Sequence, residues 1–279
     1  MISMSYSKPI DIQAFLTEDI GRGDITAAII PATKSASAKV ITREAMLCCG
    51  QEWFNAVFRT LQADIVIHWQ VTEGQWVQAG ELLCTLSGLA RPLLTGERTA
   101  LNLLQTLSAT ATQAYQYAEA VAGTGCKVLD TRKTIPGLRD AQKYAVLCGG
   151  CFNHRVGLYD GILIKENHIM AAGGIAAAVA IARQLSDVTL EVEVESMDEL
   201  RQAIAAQPDR IMLDNFTVPQ LLTAVDLVAG AIALEASGNI SLANIREIAE
   251  TGVDYISIGA LTKNIQAVDL SMRIDLVDV

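Results

Sequence analysis

LEVEVESMDELRQAIAAQPDRIMLDNF, residues 190–216, decides the fold. A short β-branched run (Leu190 to Glu195) is followed by a stretch with helical spacing, MDELRQAIAAQ, and by a second run, Arg210 to Asp214. The same beat continues in both directions. KVLD (Lys127 to Asp130) and GILIK (Gly161 to Lys165) precede it; AIALEA (Ala231 to Ala236) and YISIG (Tyr255 to Gly259) follow. Most gaps hold helical patterns: GIAAAVAIARQL, VPQLLTAVDLVAG and LANIREIAET. Such alternation implies parallel strands joined by right-handed crossovers. An open doubly wound sheet and a barrel both satisfy it.

The strand ends decide between them. The runs finish on Asp130-Thr131-Arg132-Lys133, Lys165, Glu195, Asp214-Asn215, Ser237-Gly238-Asn239 and Gly259. In a barrel all of these meet at one mouth, the carboxyl face that carries the chemistry. An open sheet concentrates function at one switch point and usually shows a glycine-rich nucleotide signature, absent from this sequence. The expectation is an α/β barrel with fewer than eight strands.

Upstream the pattern differs. From Ala38 to Gly88 the chain reads as strand-like, with apolar alternation broken by Gly. Trp69 and Trp76 are expected to pack inside this small α/β scaffold. EGQWVQAGELL looks like the turn of a lipoyl or biotinyl domain, but no lysine lies between Lys39 and Lys127, which excludes a swinging arm. RPLLTGERTALNLLQTLSATATQAYQYAEAVAG then has helical spacing and predicts one long helix or two, ending near Gly123.

The whole chain has 279 residues, 51% hydrophobic, 19% charged and 5% aromatic, enough for a sizeable core. With 21 basic and 31 acidic residues its net charge is -10, a poor match for nucleic acid or anionic membrane. The uncharged run from Ile169 to Ala182 is shorter than a bilayer requires, and MISMSYSKPIDIQ lacks signal architecture, so a cytoplasmic protein is expected. The six cysteines are read as reduced thiols. Cys148, Cys151 and His154 have zinc-like spacing, but a fourth ligand is missing, so no zinc site is assigned.

One segment reverses the overall charge. Cys126 to Met170 holds seven basic residues (Lys127, Arg132, Lys133, Arg139, Lys143, Arg155, Lys165) and four acidic ones, a local +3. Taken singly, each is a surface ion-pair partner. Four or five at predicted strand ends indicate a pocket for a polyanionic small molecule. Glu191, Glu193 and Glu195 recur with period two, so they share one face, expected to be the barrel lumen. There they either close an ion-pair network or, with Asp214, hold Mg²⁺ on a phosphorylated ligand. The turns at 237–239 and 257–260 offer backbone N–H groups to a phosphate.

Several segments resemble one family: EDIGRGDITAA, LLTGERTALNLLQTLS, LDTRKTIPGLRDAQKYAVLCGG, NHRVGLYDGILIKENHI, EVEVES, IMLDNF, LEASGN and ISIGALTK. In order and content they are similar to the quinolinate phosphoribosyltransferases. The resemblance implies a type II phosphoribosyltransferase-like fold: an N-terminal α/β sandwich (1–108, rejoined by 266–279) and an incomplete parallel α/β barrel (109–265). It implies transfer of phosphoribosyl from phosphoribosyl pyrophosphate to quinolinate, with decarboxylation, in de novo NAD synthesis. It implies Mg²⁺ and a homodimer, with higher assembly left open, in which Arg98 reaches the neighbouring subunit's site.

The resemblance also assigns roles. Arg132, His154, Arg155 and Lys165 would clamp the quinolinate carboxylates, with Thr131 beside them and Lys133 bridging to the donor. Glu195 and Asp214 would hold the ribose hydroxyls and Mg²⁺, with Glu193 as a helper. Lys133, Lys165, Glu195 and Asp214 are the expected catalytic group. Ser237, Gly238, Asn239 and Gly259 would line the 5′-phosphate site. Two departures from the family pattern are Cys151-Phe152 before the NHR element, which makes that loop bulkier, and Lys263 in place of a common His. Three rivals remain: a paralogue of the same fold, such as the molybdenum-associated one, with another acceptor; a Schiff-base lyase using Lys165; and a non-catalytic anion binder.

Overall fold

The computed structural model describes residues 10–276. Residues 1–9, where a signal segment was sought, and 277–279 lie outside the described residues. The chain divides into two compact units. One runs to Gln113 and resumes at Ile265; the other is Ala114–Asn264. The sequence reading put these divisions after residues 108 and 265.

The first unit holds α1 (Gln13–Ile20), β1 (Ser35–Thr42), β2 (Met46–Leu47), α2 (Gln51–Leu61), β3 (Val66–Trp69), β4 (Trp76–Val77) and β5 (Leu82–Leu89). It also holds most of α3 (Ala90–Ala120), a helix of 31 residues that crosses the division. The long-helix expectation is met by this one element. The strand-like reading of Ala38 to Gly88 needs correction, because α2 interrupts it. Trp53, Phe54, Val57 and Phe58 are all buried there, a helical period that the flanking alternation masked. Phe54 packs on Phe58 at 5.1 Å and edge-on against Trp69 at 5.3 Å. Trp69 is half-buried and donates to Asn55 Oδ1 at 2.9 Å. Trp76, by contrast, is 39% exposed, because in β4 it is Val77 that turns inward.

The second unit carries the beat read from the sequence. Its strands are β6 (Lys127–Leu129), β7 (Ile162–Ile164), β8 (Leu190–Val194), β9 (Arg210–Asp214), β10 (Ala233–Ser237) and β11 (Tyr255–Ser257). Between them lie α4 (Arg139–Cys148), α5 (Glu166–Ala172), α6 (Ile175–Leu185), α7 (Met197–Ala206), α8 (Val218–Val228), α9 (Ile245–Ala249) and, after β11, α10 (Ala260–Lys263). The six strands form one parallel sheet in the order β6-β11-β10-β9-β8-β7. The first two strands in sequence therefore occupy opposite edges. β12 (Leu270–Leu276) returns to the first unit and completes an antiparallel sheet ordered β12-β1-β5-β3.

The parallel sheet curls into an incomplete barrel. Glu191 of β8 and Glu235 of β10 are separated by β9, yet both carboxylates lie against the His154 ring, at 2.8 and 3.6 Å. Along the free edge of β6 a single bridge pairs Leu129 with Phe152. Outside the curl, Leu190, Val192, Val194, Ile211 and Leu213 pack against apolar helix faces. Inside it stand the alternate residues Glu191 and Glu193, mostly buried. The uncharged run from Ile169 onward is split by Gly173 and Gly174 into α5 and α6, bent by 93°. No single helix among the described residues is long and apolar enough to cross a membrane.

Candidate active site

A cavity of about 290 Å³ opens at the carboxyl ends of the parallel strands. Thr131, Arg132 and Lys133 follow β6; Leu163 and Lys165 come from β7 and its end. Glu193 is from β8, Met212 and Asp214 from β9, Ser237 from β10 and Ser257 from β11. His154 and Arg155 enter from the seam between β6 and β7. Four cations face two carboxylates, so the lining carries excess positive charge.

The cations are not equally engaged. Arg132 Nε is buried and unpartnered, an unused donor suited to a ligand carboxylate. Lys165 is ion-paired with Glu193. Burial draws the Arg155 guanidinium below its ordinary value, with Arg132 adding like-charge repulsion. The other basic residues of the cationic segment have structural partners. Arg139 donates to Thr134 Oγ1 and to the carbonyls of Arg132 and Val156. Lys127 lies 5.4 Å from the centroid of the Phe152 ring, the bulky residue expected there. His168 accepts the Lys165 N–H at the start of α5, at 3.0 Å.

His154 lines the cavity, but both ring nitrogens are in use. Nδ1 accepts the Arg155 N–H at 2.8 Å, which leaves Nε2 to donate to Glu191 at 2.8 Å. Burial pushes the ring below the ordinary histidine range, so it is neutral near pH 7. His154 therefore meets the hollow with a ring whose nitrogens already bond the Arg155 backbone and Glu191. The Cys148-Cys151-His154 spacing does not act as a unit, since the Cys151 thiol donates to the Ala114 carbonyl at 3.1 Å. Below the cavity, burial raises Glu191 to about 6 and Glu235 to about 7. Arg210 meets Glu235 at 2.9 Å and stacks on Tyr255 at 4.0 Å.

Of the expected site residues, Thr131, Arg132, Lys133, His154, Arg155, Lys165, Glu193, Asp214 and Ser237 line one hollow. Glu195 does not. β8 ends at Val194, and Glu195 is exposed, clustered with Glu166 and Glu193 rather than with Asp214. Gly238, Asn239 and Gly259 adjoin lining residues in sequence or space without lining the hollow themselves. A Cβ on Gly238 would lie 2.2 Å from Asn215 Oδ1, and one on Gly259 would lie 2.8 Å from Lys133 Cδ. Asn239 adopts φ 50° and reaches Asn215 at 3.4 Å. Arg98 belongs to the first unit, exposed on α3. Leu163, Met212 and Ser257 were missed; the alternation of their strands could have found them.

Gly259 permits one prediction. Gly259→Ala should push Lys133 aside and lower kcat/KM for the phosphoribosyl donor about tenfold, the cost of one misplaced charged contact. Steady-state kinetics beside a thermal melt would check it, the melting temperature staying near wild type because φ is -68° there.

Fold and cavity define an α/β-barrel protein with a cation-rich hollow at the carboxyl ends of its strands. Residues 24–108 match the N-terminal domain of quinolinate phosphoribosyl transferase, and residues 110–273 match its C-terminal domain. A relative in Synechocystis, a probable nicotinate-nucleotide pyrophosphorylase (carboxylating), is 42% identical over 94% of this chain and 91% of its own length. The one in Bacillus subtilis is 40% identical over the same shares. The solved structure of the nicotinate-nucleotide pyrophosphorylase from Francisella tularensis superposes with a TM-score of 0.91 at 50% identity, covering 95% of this chain and 94% of that one. This chain belongs to the quinolinate phosphoribosyltransferase family.

Proposed function

We propose that this protein transfers phosphoribosyl from phosphoribosyl pyrophosphate to the ring nitrogen of quinolinate, releasing pyrophosphate and CO₂ and leaving nicotinate mononucleotide for NAD synthesis. The observation that carries the reading is one hollow lined by Arg132, Lys133, Arg155 and Lys165 together with Glu193 and Asp214. Quinolinate is a dianion and the donor carries several negative charges. They repel each other, and fixed cations offset that repulsion while proximity lowers the barrier.

Arg132 and Arg155 hold the ring carboxylates, bidentately where geometry allows, with Lys165 as a third cation. Lys133 bridges toward the donor, and Ser237 and Ser257 offer hydroxyls to its phosphate. As pyrophosphate departs, C1′ gains oxocarbenium character, which a nearby carboxylate stabilises. Glu193 and Asp214 are the lining carboxylates for that work. The quaternised ring nitrogen then stabilises the electron pair left on C2 as the 2-carboxylate departs as CO₂, and a proton taken up at C2 completes nicotinate mononucleotide.

Mg²⁺ fits the same two residues. Both are hard oxygen donors on the lining, of the kind Mg²⁺ takes beside phosphate oxygens. When bound it offsets the charge growing on pyrophosphate. Glu193 therefore takes the place expected for Glu195. Arg98, exposed and in the family's GERTALN match, is proposed to serve the site of a second subunit in a homodimer. The chain is proposed to act in the cytoplasm.

A Schiff-base lyase is disfavoured because Arg132, Lys133 and Arg155 share the hollow with Lys165, a lining that suits a polyanion rather than a neutral carbonyl substrate. Release of labelled CO₂ from carboxyl-labelled quinolinate tests the reading. Release that requires phosphoribosyl pyrophosphate supports it; binding without release, or release without the donor, overturns it.

A further inference from the structure

We infer that Asp130 and Lys143 form a positioning device which stands in for a missing strand at the barrel seam and so aims the Arg155 clamp. This rests on the functional reading above and assigns work to two residues outside the lining.

The seam poses a backbone problem. β6 is paired on one edge by β11, and its other edge carries only the Phe152 bridge. There Phe152 N–H donates to the Val128 carbonyl at 2.8 Å, and Asp130 N–H donates to the Phe152 carbonyl at 3.0 Å. Two residues further on, His154 is half-buried and has no strand to pair with, so its backbone groups need other partners. Asp130 Oδ1 accepts the His154 N–H at 2.9 Å, while Lys143 Nζ donates to the His154 carbonyl at 3.1 Å. One residue thus bonds both members of an ion pair, as it would bond a neighbouring strand.

The rest of the segment is fixed in the same way. Asp130 and Lys143 meet each other at 2.5 Å. Asn153 Nδ2 donates to Asp130 Oδ2 at 2.6 Å and to the Lys143 carbonyl at 3.0 Å. His154 Nδ1 then takes the Arg155 N–H, and Arg155 Nη1 reaches the Gly161 carbonyl at 3.4 Å. The register of Arg155 is therefore set from the residue that follows β6 and from α4.

Stability alone does not account for the pair. Asp130 is 0% and Lys143 3% exposed. Desolvation pushes Asp130 up and Lys143 down, against their mutual attraction. Taking both charges out of water carries a desolvation cost, and apolar residues of similar volume often do as well for the fold. What an apolar pair cannot supply is an acceptor and a donor at fixed points for His154. A guanidinium misplaced by about 1 Å loses about 10²-fold in productive binding.

The test separates packing from aim. The double variant Asp130→Leu/Lys143→Met fills the space without hydrogen-bonding groups. It leaves the His154 N–H and carbonyl without their partners, so it should melt below the wild type while still folding, and it should raise KM for quinolinate about 100-fold, with KM for phosphoribosyl pyrophosphate changed less than about threefold. Lys143→Arg, which keeps a cationic donor for the His154 carbonyl, should retain most quinolinate affinity. If the double variant does not fold, Asp130→Asn carries the same readout at about tenfold. A folded double variant with wild-type KM for quinolinate overturns the inference. So does Asp130→Asn weakening both substrates equally. Failure of the functional reading looks different: the wild-type protein itself would then release no CO₂ from quinolinate.

Discussion

Arg155→Ala is expected to lower kcat/KM for quinolinate about 10³-fold while the protein still folds. A hydrogen bond to a charged group contributes about 1.5–3 kcal/mol, and a bidentate clamp on a carboxylate makes two. Among the described residues the Arg155 side chain makes one long hydrogen bond, 3.4 Å to the Gly161 carbonyl. Its removal therefore leaves few protein groups unsatisfied, and the backbone N–H that bonds His154 remains. Arg132 Nε would stay buried, with one less like charge beside it. Calorimetry with quinolinate alone, beside a thermal melt, checks the result. Micromolar affinity retained by a folded Arg155→Ala protein would remove the guanidinium from the site.

Parallel strands buried on both faces leave short β-branched apolar runs, and helices between them leave a 3.6-residue period, so the alternation from Lys127 to Gly259 is plain in the sequence. The polar residues at strand ends were legible too, because a barrel sends them all to one face. The level at which a strand ends was not. Glu191, Glu193 and Glu195 look equivalent by period, and Glu195 looked nearest the mouth. Ser196 decides otherwise: its side chain accepts the Glu199 N–H at 3.2 Å, starts α7 and turns Glu195 outward. A Ser followed three residues later by Glu is a capping signal that could have been read.

The seam was less visible still. Asp130 and Lys143 look like members of the cationic segment with its scattered acids, and nothing in their spacing predicts that α4 brings one onto the other. α2 was hidden for a simpler reason. Its 11 residues lie among strands of similar apolar content, and Cys48-Cys49-Gly50 before it reads as the end of a strand.

The second large effect concerns Arg98. If it completes the site of a second subunit, Arg98→Ala and Arg132→Ala proteins are each expected to be nearly inactive, since each removes a guanidinium from every site. Mixed after dissociation and reassociation, they should recover activity. Random pairing makes half of the dimers mixed, and each mixed dimer carries one site with both lesions and one with neither. About one quarter of the wild-type sites is then intact. Recovery near that fraction requires that Arg98 and Arg132 of one chain serve different sites. If both served the same site, mixing would restore nothing, because every site would carry one lesion. The exposure of Arg98 on α3, within the unit that does not contain the cavity, makes this the sharpest division between a shared and a self-contained active site.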